Sequence, residues 1–541
     1  MASLNGIAPR SRVEIVLALV ASLATASLVA FGTLASNLTA RFGPVDDGEV
    51  LRWLGSDGRL SLGEYGSTLA QTEVGTFGGD IGRFRPFYYL VRVGQAVAFG
   101  DDPQGWYRSV LVVFVAAIAV WGAVFGMWLG IGARSLPGRF TSAVFVVSGA
   151  IAGVLVTASL PSWTGVATRL GPQEGLGLLM VGFMAFAATL LMNGGTAWWW
   201  LLLGFSTAAA MTTKENFLPL VLVPFSVALF RLKTTRVTWE WGAAALSAIP
   251  GLVTAVVVVN IGLSSSGVYY GDQTLSQRSV QGVLNLVTIY PLYWFPAALA
   301  MLVALVVFTL LVRGTSSRRL APALWMLVVV LASWLFYDAS VYGGVYSVPR
   351  YAAVLEFAKG PLMFGALAVG LAALGLSWIQ KRTRHSIAAI VSVLLALFLI
   401  AASLMRVAPN LNALRSAAET NAAMTKNFED ELFQVLAASR LLPDNSNVVL
   451  VVQDTALLET AHRILDAMAR DGYMSATVRI AADPRVPVDM QERISEGHQA
   501  FAKPYSVSDG EPALCVFINS PMAPVLNCSP GSSLGVEGWS M

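Results

Sequence analysis

Apolar runs of about 20 residues recur along most of this chain with almost no charge inside them, and no other feature restricts its folding as much. A bilayer core about 30 Å thick is crossed by about 20 apolar residues in a helix. Such runs occupy 13–35, 109–132, 140–160, 175–193, 198–213, 216–230, 240–262, 290–312, 321–338, 360–379 and 386–406, which predicts eleven transmembrane helices. Composition agrees, because 55% of the residues are hydrophobic and 12% charged, about half the charge of an average soluble chain. A cytosolic enzyme is excluded. A net charge of +3 with no basic block clear of the apolar runs excludes a disordered chain and a nucleic-acid partner. The first run follows Arg10 and Arg12 and lacks a clear small-x-small cleavage site, so it reads as a retained anchor.

The short loops set the orientation. Alternate connections carry Arg10 and Arg12; Arg134 and Arg139; Arg231, Lys233 and Arg236; Arg313, Arg318 and Arg319; and Lys381, Arg382 and Arg384. The opposite loops carry Arg169, Lys214, Arg278, Arg350 and Lys359, so the balance is thirteen to five. Basic residues collect on the cytoplasmic side, which predicts a cytoplasmic N-terminus and an external C-terminus. Residues 36–108 and the tail then lie outside.

The fold class expected is therefore a polytopic α-helical membrane protein, with residues 1–406 as the membrane module and 407–541 as a small periplasmic α/β domain. Within the tail the pattern predicts a helix over Asn421–Ser439, a strand over Val448–Val452 and a helix over Thr455–Arg470, then strands over Ala476–Ile480 and Ala513–Ile518. Both cysteines, Cys515 and Cys528, lie in the tail. An oxidising exterior allows them to pair, although spacing alone also fits two buried thiols. Two cysteines and three scattered histidines leave no zinc pattern.

The loop 36–108 contains two amphipathic stretches, Val45–Gly55 and Pro86–Phe99, suited to helices lying at the membrane surface. Asp46, Asp47 and Glu49 head the first. Clustered carboxylates beside an apolar face raise one another's proton affinity, which suits a general base. Acidic residues after Pro44 equally suit a helix N-terminus. Asp101 and Asp102 before Pro103 read as a helix cap.

The 33 residues of Trp198–Phe230 are too long for one span and too short for two. As a hairpin, each arm rises only about 22 Å, so its tip, with Lys214 and Glu215, stays at or inside the head-group boundary. Ionisable groups held there commonly meet a phosphate or a counter-charge; a local Lys214–Glu215 pair is the plainer reading. Replacing Lys214 by Met is expected to weaken phosphate binding without unfolding. Arg83, Arg85 and Arg350 add planar cations matched to phosphate oxygens, or anchor their helices by snorkelling. Tyr346 and Tyr351 stand beside Arg350 among many interfacial aromatics.

With these residues in view, the chain resembles the GT-C superfamily of polyprenyl-phosphate-dependent glycosyltransferases. In layout it is similar to protein O-mannosyltransferases, aminoarabinose transferases and bacterial arabinosyl or O-antigen-modifying transferases. Four features resemble the family in order over residues 10–406: the acidic pair Asp46–Asp47 in the first external loop, RFRPFYYL before the second span, GFSTAAAMTTKENFLPL, and VPRYAAVLEF before a late helix. The family often has Asp-Glu at the acidic pair, so the base stays open between Asp46 and Asp47.

The resemblance implies an inverting glycosyltransferase on the outer face of a bacterial inner membrane. Its donor would be a polyprenyl-phosphate sugar whose phosphate lies against Lys214, Arg350, Arg85 and Arg83. Its acceptor would be a hydroxyl of a glycan, lipid or protein. No cofactor is required; the family admits a divalent metal near the acid, which no pattern here calls for. The other classes kept open are a transporter or flippase of lipid-linked saccharides, which needs ionisable groups at mid-membrane and repeated halves, and a non-catalytic scaffold.

Overall fold

The computed structural model describes residues 9–264 except 45–46, 48–50, 52, 56, 73, 76–83, 134–138, 194, 197 and 236–238, and residues 385–526 except 443–445, 454–456, 471–476, 483–485, 493, 495–513 and 519–522. Helices dominate: α1 (Pro9–Leu34), α2 (Tyr65–Gln71), α3 (Pro86–Phe99), α4 (Pro103–Ala133), α5 (Arg139–Ala158), α6 (Trp163–Val166), α7 (Glu174–Met192), α8 (Trp198–Met211), α9 (Leu222–Thr235), α10 (Trp239–Ser264), α11 (His385–Arg440) and α12 (Leu458–Arg470). Among the described residues four stretches, Arg12–Thr39, Pro103–Ile131, Glu174–Met192 and Trp239–Val257, are long and apolar enough to cross a membrane. Ser142–Ala158, Trp198–Met211 and Phe217–Leu229 are apolar but shorter. The expected runs at 290–312, 321–338 and 360–379 lie outside the described residues, and 386–406 forms the first part of α11.

α4 is apolar on every side because it is surrounded; Phe114, Ile118, Trp121 and Phe125 are all buried in the main core. It begins as Asp102 and Pro103 predict, with Asp102 Oδ1 accepting the Gln104 N–H at 3.0 Å. Against α5 its backbone comes close at Gly122, Gly126 and Gly130. A Cβ at Gly126 would stand 2.7 Å from the Val146 carbonyl oxygen, so this four-residue spacing of small residues lets two apolar helices pack where hydrophobicity alone offers no preference.

Alternating helix directions give the bundle two polar ends. At one, the Asn37 side chain donates to the Ala167 carbonyl (3.1 Å), the Phe87 N–H to the Thr212 carbonyl (3.1 Å) and the Tyr88 hydroxyl to the Gly171 carbonyl (3.3 Å). At the other, Ser142 donates to buried Glu14 at 2.5 Å, and Arg231 pairs with buried Glu240 at 2.8 Å while donating to the Leu191 carbonyl. Polar groups are thus buried at both ends, whereas the apolar stretches between carry no charge.

Of the two surface stretches expected in 36–108, Pro86–Phe99 is a helix, closed by Gly100 at a positive φ of 54°. In Val45–Gly55 Leu51 is helical, and Trp53 and Leu54 form the turn and bend that follow. An unanticipated turn at Leu62–Glu64 opens α2, with Glu64 and Ser61 capping each other.

The tail is built on a four-stranded sheet in the order β2 (Thr477–Ala482), β1 (Asn447–Val452), β3 (Leu514–Ile518), β4 (Ala523–Leu526). The first three are parallel and β4 is antiparallel. The strands and the helix expected over Thr455–Arg470 appear within a few residues of their predicted bounds, whereas the helix expected over Asn421–Ser439 is the last part of α11, which begins at His385. β4 was not expected, because Pro524 lies inside it; as an edge strand it can accommodate a residue without an N–H. Val448, Leu450 and Val452 face a core shared with α12 and the end of α11, while Val449 and Val451 face Cys515 on the other side. α11 runs unbroken for 56 residues across the expected boundary at 406, with Pro409 inside it.

Candidate functional site

The hairpin of α8 and α9 has the expected short arms. α8 spans 14 residues, a rise of about 21 Å. Thr212 and Thr213 return their hydroxyls to the Ala208 and Ala209 carbonyls, then Lys214 turns extended and a 3-10 turn over Glu215–Val221 leads into α9. Lys214 is buried, 8% exposed, and its ammonium pairs with the carboxylate of Glu174, which is 1% exposed. Glu174 occupies the first turn of α7, where a negative charge also complements the helix dipole.

This pairing changes two expectations. The counter-charge described for Lys214 is forty residues away in sequence, whereas the side chain of Glu215 lies outside the described residues. And Lys214→Met would leave the Glu174 carboxylate buried without its cation, so such a variant is destabilised as well as altered in binding. Glu174 was not singled out from sequence. The available signal was its place as the one carboxylate opening an uncharged run, on the loop side shared with Lys214.

Beside this pair, α3 carries two buried guanidinium groups. Arg85 precedes the helix, donates to the Tyr89 hydroxyl at 3.2 Å and lies 5.5 Å from the ring centres of both Tyr88 and Tyr89. About two turns further, Arg92 donates to the Tyr88 hydroxyl (3.2 Å), to Gln95 (3.3 Å) and to the Leu170 carbonyl, and stacks on Trp106 at 5.1 Å. The Phe87–Thr212 hydrogen bond fixes Arg85 and Lys214 in one neighbourhood, because each is two residues from an end of that bond. Arg92 and Tyr88 also border a cavity of about 50 Å³, walled by Val113, Phe114, Trp163 and Leu176.

The acidic loop approaches the same end of the bundle from the other side. Asp47 is 2% exposed, and its Oδ2 accepts the Gly43 N–H at 2.6 Å, pinning the loop back on itself. Its charge acts on the buried Tyr107 of α4, as do those of Arg92 and Arg169. Ring contacts join the two sides, with Trp53 on Tyr89 at 6.1 Å and Tyr89 on Tyr88 at 5.1 Å.

Of the residues expected to form the site, Asp47, Arg85 and Lys214 stand at one end of the bundle. Asp46, Glu49, Arg83, Tyr346, Arg350 and Tyr351 lie outside the described residues. Cys515 is disulfide-bonded, and Cys528, the other cysteine of the chain, also lies outside them. Among the described residues no three acidic, histidine or cysteine side chains are grouped to hold a metal. The arrangement offers buried cations, an ammonium with three N–H groups and guanidinium groups with five, next to a loop bearing carboxylates. No protein-family model matches the chain, and no curated protein matches it significantly.

Proposed function

We propose that this chain is an inverting glycosyltransferase of GT-C type that uses a polyprenyl-phosphate sugar. The observation that carries the reading is the Phe87–Thr212 hydrogen bond, whose two ends each lie two residues from a buried cation, Arg85 and Lys214, at one end of an apolar helical bundle. A lipid phosphate at that height meets donors on both, and negative charge growing on it as the sugar departs is stabilised where water is scarce. Arg83 and Arg350 supplement them. Asp47 is occupied in holding the Gly43 N–H, so the reading assigns to Asp46 the proton of the acceptor hydroxyl. One base acting on a nucleophile opposite the leaving phosphate inverts the anomeric centre. In the full proposal eleven spans place this end on the outer face of a bacterial inner membrane, with the C-terminal α/β unit outside. The absence of charged residues from the middle of the spans argues against the transporter reading.

The test is twofold. Mass spectrometry of the gently purified protein should find a co-purifying polyprenyl phosphate. Asp46→Asn and Asp47→Asn, made separately, should show sugar transfer abolished by the first. Full transfer in both variants at normal expression removes the enzyme reading.

A further inference from the structure

Residues 37–47 lead from the end of α1 to the acidic cluster, and one stripe of α11 grips them at several points. Asn421 donates to the Asn37 side chain at 3.4 Å and to the Tyr107 hydroxyl at 3.1 Å. Thr425 accepts the backbone N–H of Arg41 at 2.9 Å, and Arg41 pairs through Nε with Glu429 at 3.3 Å. Positions 421, 425 and 429 follow one another at four-residue intervals, so they share a helix face. Thr425 is almost fully buried, and its methyl lies against Gly43, whose N–H Asp47 holds. The helix is anchored on both sides of this stripe. Leu414 and Ala418 belong to the main core, and Phe428, Leu432 and Val435 to the core of the sheet. A polar stripe between two apolar anchors, buried at Asn421 and Thr425 and partly exposed at Glu429, adds nothing to hydrophobic burial; what it contributes is a single geometry for whatever it bonds.

We propose that Asn421, Thr425 and Glu429 are positioning residues for the acidic loop, and that α11 thereby joins the loop to the C-terminal sheet. The hold on the loop stands on this geometry; only its consequence for catalysis rests on the transferase reading. In the full-length protein, Thr425→Val removes the acceptor at nearly constant volume. Hydrogen exchange in the peptide containing Arg41 should rise about fivefold, with β1 and β3 unchanged, and Thr425→Ser should restore protection. Asn421→Leu should loosen the same peptide. Unchanged exchange in both Thr425→Val and Asn421→Leu overturns the proposal. Sugar transfer separates the two readings. Positioning predicts that Thr425→Val lowers kcat about tenfold with donor KM unchanged, and that Thr425→Ser recovers it. A loosened loop with undiminished kcat overturns the catalytic half of the proposal and the base assignment with it, while the hold on the loop stands.

Discussion

Replacing Glu174 by Leu removes the carboxylate from a pair whose side chains are 1% and 9% exposed. At that burial neither water nor salt screens the ammonium left behind. Removing one partner of a buried pair costs about 3–5 kcal/mol, chiefly as the penalty for an uncompensated charge. Lys214→Met should cost a similar amount, now through the stranded Glu174. The double variant carries neither charge, and apolar replacements of similar volume are often neutral or stabilising, so it should fall within about 1 kcal/mol of the parent. Reversible unfolding in mixed detergent micelles measures all four corners of this cycle. If each single change costs less than about 1 kcal/mol and the double change is their sum, the two groups are not coupled and the burial argument is wrong. The double variant also separates stability from binding: folded but lacking the ammonium, it should lose donor affinity without the instability that Lys214→Met alone brings.

Arg85→Lys keeps the charge but loses the planar fork stacked on two tyrosines, and donor affinity measured by titration should fall about tenfold. Gly177→Ala would drive a methyl into the buried Phe217 ring next to the hairpin tip, and overpacking of this kind should cost about 1–3 kcal/mol in the same unfolding assay. Glu64 is held below its ordinary 4.5 by the Ser61 hydroxyl and backbone N–H. A depressed carboxylate stabilises its turn above its unfolded value and loses that as pH falls through the lower folded value, so exchange in residues 61–64 should rise only below about pH 4.5; a rise beginning near neutrality contradicts the cap.

The four described stretches long and apolar enough to cross a membrane were legible because lipid imposes a length and an apolar composition that any reader of the chain can count. The parallel strands were legible for a similar reason: buried on both faces, Val448–Val452 and Leu514–Ile518 are short uninterrupted apolar runs. α3 was visible in the alternation of faces after Pro86. The continuity of α11 was not, because the apolar run ends near residue 406 and Pro409 reads as a break, yet the buried positions Leu414, Ala418, Asn421 and Thr425 continue the helix on one face. Glu174 was missed because a single carboxylate at a helix start has a sufficient local explanation as a favourable terminal charge.

The chain alone determined that it forms apolar helices long enough to cross a membrane, where its apolar runs begin and end, and that alternating strands and helices follow. These depend on interactions with solvent or lipid, or between near neighbours, and local composition encodes them. Tertiary structure decided which charges meet. Lys214 with Glu174, Arg85 beside the hairpin tip and Thr425 against Arg41 join residues 40 to 384 positions apart. Such contacts arise from the order in which helices pack, and that order depends on the summed fit of whole surfaces, to which no single residue's pattern points.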